Sequence, residues 1–412
     1  MRGRRDRQFR TVHDRRRGVS RGGGRRSPGR QRPMSAEAVP TVGVEEEFFL
    51  ADIDMLRPVA VGPGVVAHAR AAGIDAVSEL TEVQVEANSP PLQCLRELRE
   101  NVISTRATLS AVALAQGAHL LAAGVSPVAP ADRGRLPISD GSRYRRLAET
   151  YGALAESVAT CGGHIHVEVP DKETAIGVCN VVRPWLPTLL ALTCNSAIHD
   201  GVDTRHSSWR STVWGRWPTA GPPPHLSSTA EYDDLVGSMI ETGMILDEAS
   251  LYWDVRPSSH QPTVEVRVGD VPAVAEEVVL SAALVRGLVV TALRSIDRGE
   301  PALVVAGNHL AAAYHRARMD GLTGVAVDPS TGRPVSASSL LRSLVRYVEP
   351  ALTSTGDLRC VQTSLERLTH LGNGAQRQRR IFSRNADAAA VAAHAARFTT
   401  AEWNSPVAQD AG

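Results

Sequence analysis

Four short stretches of this chain alternate apolar and charged side chains with a period of two. They are Gly43-Val44-Glu45-Glu46-Glu47-Phe48, Glu82-Val83-Gln84-Val85-Glu86, His164-Ile165-His166-Val167-Glu168 and Thr263-Val264-Glu265-Val266-Arg267-Val268. In an extended strand alternate side chains share a face, so Glu45 and Glu47 point one way and the valines the other. The same holds for Glu82 with Glu86, His164 with His166, and Glu265 with Arg267. One such strand is ordinarily the solvated face of an antiparallel sheet. Four of them, each flanked by Gly or Pro, describe a scaffold that gathers charged faces around a cation or a charged ligand, because burying such faces alone is costly.

The rest of the chain supplies the scaffold. At 412 residues there is length for one large domain or two ordinary ones, with ample apolar content for a core. Long amphipathic helices are expected over about residues 92–117 and 273–298, and one or two more over 171–199, interrupted at Pro184 and Pro187. A single strand is expected over roughly 78–89, ended by Pro90-Pro91. Residues 201–225 hold Asp203, Arg205, His206, Arg210 and Arg216 with Trp209, Trp214 and Trp217, the composition of a binding loop or lid. No apolar run of about 18 residues free of charge appears, so a membrane span is not expected.

Charge is unevenly distributed. Residues 1–33 carry 13 Arg against Asp6 and Asp14; subtracting them from 45 basic and 44 acidic residues leaves 32 against 42, an acidic body behind a basic leader. The leader has no apolar periodicity and forms no core. Met34, just before the first strand, reads as a natural start, and deleting residues 1–33 is expected to leave activity intact; loss of turnover would refute that reading. A nucleic-acid partner is not expected, since the body repels phosphates in the absence of metal. Five scattered cysteines, with no CxxC pair, fit reduced thiols in the cytoplasm.

Carboxylates with single imidazoles suit Mg²⁺ or Mn²⁺, which prefer oxygen ligands and share them with substrate phosphates. A zinc hydrolase built on His164 and His166 is the rival reading, but it leaves the surplus of Glu and Arg without a role. GxGxxG and Walker A patterns are absent, so a nucleotide would be held by metal and arginine rather than by a glycine cradle.

Taken in order, GVEEEF, ELTEVQVEANSPP, CGGHIHVEV, the Asp203-Thr204 to Ser208-Trp209-Arg210 loop with its later Pro-Pro-Pro, WDVRPS and VEVRVGD resemble the ATP-dependent carboxylate–amine ligases of the type 2 glutamate–cysteine ligase family. The resemblance covers roughly residues 41–380 and extends, in the HxH and ExR strands, to glutamine synthetase. It implies an α+β fold: a curved, largely antiparallel sheet with helices on one face and a polar active-site funnel on the other. It implies one catalytic domain over 39–405, between a leader (1–38) and a flexible tail (406–412). It implies ATP and Mg²⁺ (or Mn²⁺) with small amino-acid substrates, and glutamate plus cysteine as the default pair. A homodimer is compatible with it. On this resemblance Glu45, Glu47, Glu82, Glu86, His164 and Glu265 hold metal, and His166, Arg256 and Arg267 meet the nucleotide. Arg267, Glu265 and His166 act in catalysis, while Arg205, Trp209 and Arg210 contact substrate. Ser196-Ala197-Ile198-His199 and Arg205-His206 depart from the family's usual pattern in the substrate loop, so they bear on amino-acid specificity.

Overall fold

Valine-rich faces and glutamate-rich faces are sorted by a single antiparallel sheet. The computed structural model describes residues 39–131, 135–157 and 159–401; the leader expected over 1–38 and the tail over 406–412 lie outside them. The strands are β1 (Val42–Asp52), β2 (Ala76–Ser78), β3 (Gln84–Asn88), β4 (Ala118–Leu121), β5 (Gly162–Glu168), the two-residue pair β6 (Ile198–His199) and β7 (Val202–Asp203), then β8 (Val255–Pro257) and β9 (Thr263–Asp270). Seven of them form one sheet in the order β2-β3-β1-β5-β9-β8, with β4 on the C-terminal half of β1. Every ladder in it is antiparallel.

Val42, Val44, Ile165, Val167, Val264, Val266 and Val268 form the buried face, under the helices Leu95–Ala115, Lys172–Val182, Leu186–Thr193 and Ala275–Asp297. Burial of this kind contributes roughly 1.5–3 kcal/mol per large aliphatic side chain. Two stretches, Lys172–Thr193 and Ala275–Asp297, are long and apolar enough to cross a bilayer, yet 83% and 72% of their most apolar 18-residue windows is buried within the protein. They are core helices of this fold.

The single strand expected over 78–89 is instead a hairpin. β2 and β3 pair with each other, and residues 79–83 form the turn between them. Glu82 donates its backbone N–H to Pro137 and accepts from Gly62, so its peptide groups serve loop contacts and not the ladder. After Ser142 the chain forms two helices, Ser142–Tyr151 and Ala153–Ser157, divided by Gly152 at φ 54°.

One buried ion pair ties the layers together. Glu46 is on the opposite face of β1 from Glu45 and Glu47, and Arg106 of the helix Leu95–Ala115 grips it through Nε (3.2 Å) and Nη2 (2.5 Å). Arg106 also donates to the carbonyls of Pro272, Ala273 and Thr399.

Candidate active site

Register places the charged groups side by side. Across β1–β5, Glu45 faces His164; across β1–β3, Glu47 faces Glu86; across β5–β9, His166 faces Glu265; across β8–β9, Arg256 faces Glu265. Glu45 Oε2 lies 3.1 Å from His164 Nδ1, and Glu45 Oε1 lies 3.0 Å from His166 Nε2. His164 Nε2 is 3.5 Å from Glu47 Oε1. Glu265 accepts from Arg256 Nε (2.8 Å) and is paired with Arg267 Nη1, which itself lies 3.4 Å from His164 Nδ1. His166 Nδ1 is 2.9 Å from the Thr263 hydroxyl. A bulge in the β5–β9 ladder between Gly163 and Ile165 is what brings Arg267 to His164.

Three groups of ligand atoms lie within 4.8 Å of one another: Glu45 with Glu86 and His164, Glu45 with His166 and Glu265, and Glu47 with Glu79 and Glu86. Glu82, expected among the ligands, is in none of these groups; Glu79, at the start of the same turn, takes the position. The hairpin explains the exchange, because Glu82 precedes β3 and never enters its alternation. The two histidines fall in different groups, so these groups lack the paired imidazoles of a zinc centre: two of them offer one imidazole with two carboxylates, and the third offers three carboxylates.

Electrostatics separates these groups. Burial, then the neighbouring charges of Glu79 and Glu45, pushes Glu86 well above the usual carboxylate range. Burial likewise raises Glu47 and Glu79. Burial also works to raise Glu45, but hydrogen bonds from His164 and His166 overcome it and hold the group well below its ordinary value. Glu265 is low for a parallel reason: burial is outweighed by Arg267 and Arg256. His164 is driven down by burial and then by Arg267, so it is a neutral imidazole, the form that ligates metal. For His166 burial is outweighed by Glu45 and Glu265, which favour its charged form.

These residues fit divalent cations. His164 Nε2 is buried without a hydrogen-bond partner among the described residues, and the surrounding carboxylates repel one another. An acid raised in the folded state loses stabilisation as pH rises through its range, since the folded chain then holds a proton the unfolded chain has released. Glu86→Gln is therefore expected to raise the melting temperature of the metal-free protein at pH 8, with little effect at pH 5. It should also reduce the stabilisation given by added Mg²⁺. Equal melting shifts at both pH values would contradict this account of Glu86.

The tryptophan-rich segment forms a wall beside the carboxylates. Trp214 and Trp217 pack edge-on against Tyr252 at 5.0 and 5.3 Å, and Trp217 against Tyr151 at 5.1 Å. Burial pushes the Tyr252 phenol up to about 12, and the charges of Arg143, Arg267 and Glu79 also act on it. Arg210, in the helix Trp209–Trp214, is buried, and its guanidinium lies so near Gly162 that a Cβ there would fall 2.3 Å from Nη2. A side chain there would force the Arg210 guanidinium to move, and the Gly162 N–H donates to Glu47 Oε2 (2.5 Å). Trp209 packs on His206 and His199. Arg205 is exposed in a left-handed turn (φ 59°), so its side chain is outside the cluster. Sequence reasoning missed Glu79 and also Asp270, the last residue of VEVRVGD. Asp270 accepts from Ser196, Ser208 and the Asn195 N–H, and so anchors the start of the tryptophan segment to β9.

The sequence profile of glutamate–cysteine ligase family 2 matches residues 41–397. The chain belongs to that family. A relative from Mycolicibacterium vanbaalenii, named "Putative glutamate--cysteine ligase 2-2", is 48% identical over 361 residues, 88% of this chain and 98% of its own. One from Nocardia farcinica, named "Putative glutamate--cysteine ligase 2-1", is 47% identical over 354 residues, covering 86% of this chain and 92% of its own. The fold of this family member is also that of a glutamate–cysteine ligase from Francisella tularensis solved with AMP, at TM-score 0.62 and 12% identity over 90% of this chain and 91% of that one. A bifunctional glutathione synthetase from Pasteurella multocida gives TM-score 0.61 at 14% identity, over 88% of this chain and 53% of that one.

Proposed function

We propose that the chain is an ATP-dependent carboxylate–amine ligase that joins L-glutamate to L-cysteine through a γ-glutamyl phosphate, releasing ADP and phosphate. The observation that carries this reading is the convergence of Glu45, Glu47, Glu79, Glu86 and Glu265 with His164 and His166 beside two arginines on one sheet face. Such a set suits the binding of a metal–triphosphate. Bound there, two or three Mg²⁺ or Mn²⁺ ions would neutralise the triphosphate and the phosphoryl group in transfer, the stabilisation that dominates this chemistry.

The protein's own groups divide the work. Glu45, Glu86, His164 and Glu265 offer metal ligands, with Glu47 and Glu79 completing the group at the far end. His166, whose charged form Glu45 and Glu265 favour, would donate to a phosphate oxygen. It lines a cleft of about 580 Å³ together with Thr41, Asn88, Gln261 and Thr263, a volume suited to the nucleotide. Arg267 is aimed by Glu265 and would clamp the transferring phosphoryl group; Arg256, on the other oxygen of Glu265, fixes that carboxylate. Arg210 and the aromatic wall would face the amino-acid substrates and exclude water from the acyl phosphate.

An ADP-release assay over pairs of acids and amines tests the reading. Turnover with glutamate and cysteine, lost in Glu265→Gln, is expected. Turnover with another amine alone would keep the ligase and replace the substrate pair; no turnover with any pair would overturn the reading. Chelation is expected to abolish ADP release, and Mg²⁺ to restore it.

A further inference from the structure

A second polar cavity lies apart from the carboxylate cluster. It has a volume of about 470 Å³ and lies between the helix Gly307–Asp320, the helix Trp209–Trp214, the Gly221-Pro222 run and Asp254 just before β8. None of Glu45, Glu47, Glu86, His164, His166, Glu265 or Arg267 lines it. Its buried floor is Asp254 and Tyr314, 6% and 4% exposed. Arg183 and Arg318 stand in its walls, with Trp214 at the edge.

The polar groups here are under-used by the protein. Arg318 Nε and Trp214 Nε1 are buried with no hydrogen-bond partner among the described residues, and the Tyr314 hydroxyl lies against the Asp254 carboxylate at the floor. Arg183 is anchored through Nε on the Pro223 carbonyl (2.7 Å), which holds its guanidinium in the wall. Unsatisfied buried donors of this kind are costly unless a ligand supplies acceptors. Two guanidiniums and one carboxylate around a small cavity give a net charge of +1. The complement is a molecule with two carboxylates and one ammonium.

We infer that this cavity is a second amino-acid site, taking an acidic α-amino acid with its ammonium on Asp254 and its carboxylates on Arg183 and Arg318. The site is built into the same chain segment as the catalytic face: the Arg267 N–H donates to the Asp254 carbonyl, and the Asp254 N–H to the Gly221 carbonyl, each at 2.8 Å. Occupancy would therefore steady both the tryptophan segment and the backbone that carries Arg267. The binding claim stands on the cavity alone; its kinetic consequence rests on the ligase reading.

The test is calorimetric titration of L-glutamate, with L-glutamine as the comparison probe, into the full chain and the variants Arg318→Ala and Tyr314→Phe. Wild type is expected to bind two L-glutamates per chain, and Arg318→Ala only one. L-glutamine should bind the second site about tenfold or more weakly, as expected on losing one charge-assisted contact. Tyr314→Phe, which keeps the ring in place, should weaken only that site. In ADP-release assays the wild-type rate is expected to depend sigmoidally on glutamate, and Arg318→Ala should keep turnover at saturating glutamate with a hyperbolic dependence. Unchanged stoichiometry and affinity in both variants would overturn the inference. So would a single wild-type site whose loss in Arg318→Ala removes turnover at every glutamate concentration, since the cavity would then be the donor subsite. If no acid–amine pair supports turnover while Arg318→Ala still loses one of two bound glutamates, the ligase reading falls and the cavity site stands.

Discussion

Replacing Arg267 by alanine is expected to lower kcat for ADP release by about 10³-fold or more, the range for an arginine that stabilises a transferring phosphoryl group. KM for ATP should change far less, because the proposed metal ligands and His166 remain. The fold should survive, since Glu265 keeps Arg256 at 2.8 Å and does not become an unpaired buried charge. Arg267→Lys should recover little, as a point charge cannot replace the planar fork that reaches both Glu265 and a phosphate oxygen. Single-turnover and steady-state ADP release, with a thermal melt as the folding control, measure this. Full turnover in Arg267→Ala would remove Arg267 from the chemistry.

The largest stability loss is expected far from the reaction. Arg106→Ala should destabilise the chain by about 3–5 kcal/mol, the cost of leaving one partner of a buried pair without its counter-charge. Arg106 is fully buried, and its guanidinium serves Glu46 and three carbonyls from two distant parts of the chain. Denaturant unfolding followed by far-ultraviolet circular dichroism gives the magnitude. Adding Glu46→Gln to Arg106→Ala should cost less than the sum of the two single changes, because the second removes the stranded charge. A loss below 1 kcal/mol in Arg106→Ala would show that solvent or a rearranged partner satisfies Glu46.

Sequence reasoning did not single out Arg106. It lies in register with Leu98, Val102, Leu109 and Ala113 on the apolar stripe of its helix. A charge on such a stripe announces a buried partner but not which one. Glu45 and Glu47 were legible in full, because strand alternation alone fixes their shared face. The same alternation misled at Glu82: it gives a face only to residues inside a strand, and the β2–β3 turn removes Glu82 from one.

The sequence by itself determined the apolar and polar faces of the β1, β5 and β9 strands, the histidine and carboxylate chemistry they carry, and membership of a ligase family. Those properties are local, set by the period of two and by side-chain type. Tertiary structure alone decided that Glu79 and not Glu82 lies among the clustered carboxylates, that Arg210 turns inward behind Gly162 while Arg205 faces solvent, and that Asp254, Tyr314, Arg183 and Arg318 line a cavity. Each of those depends on contacts between residues tens to more than a hundred positions apart, or on where a turn closes, and periodicity carries no information about either.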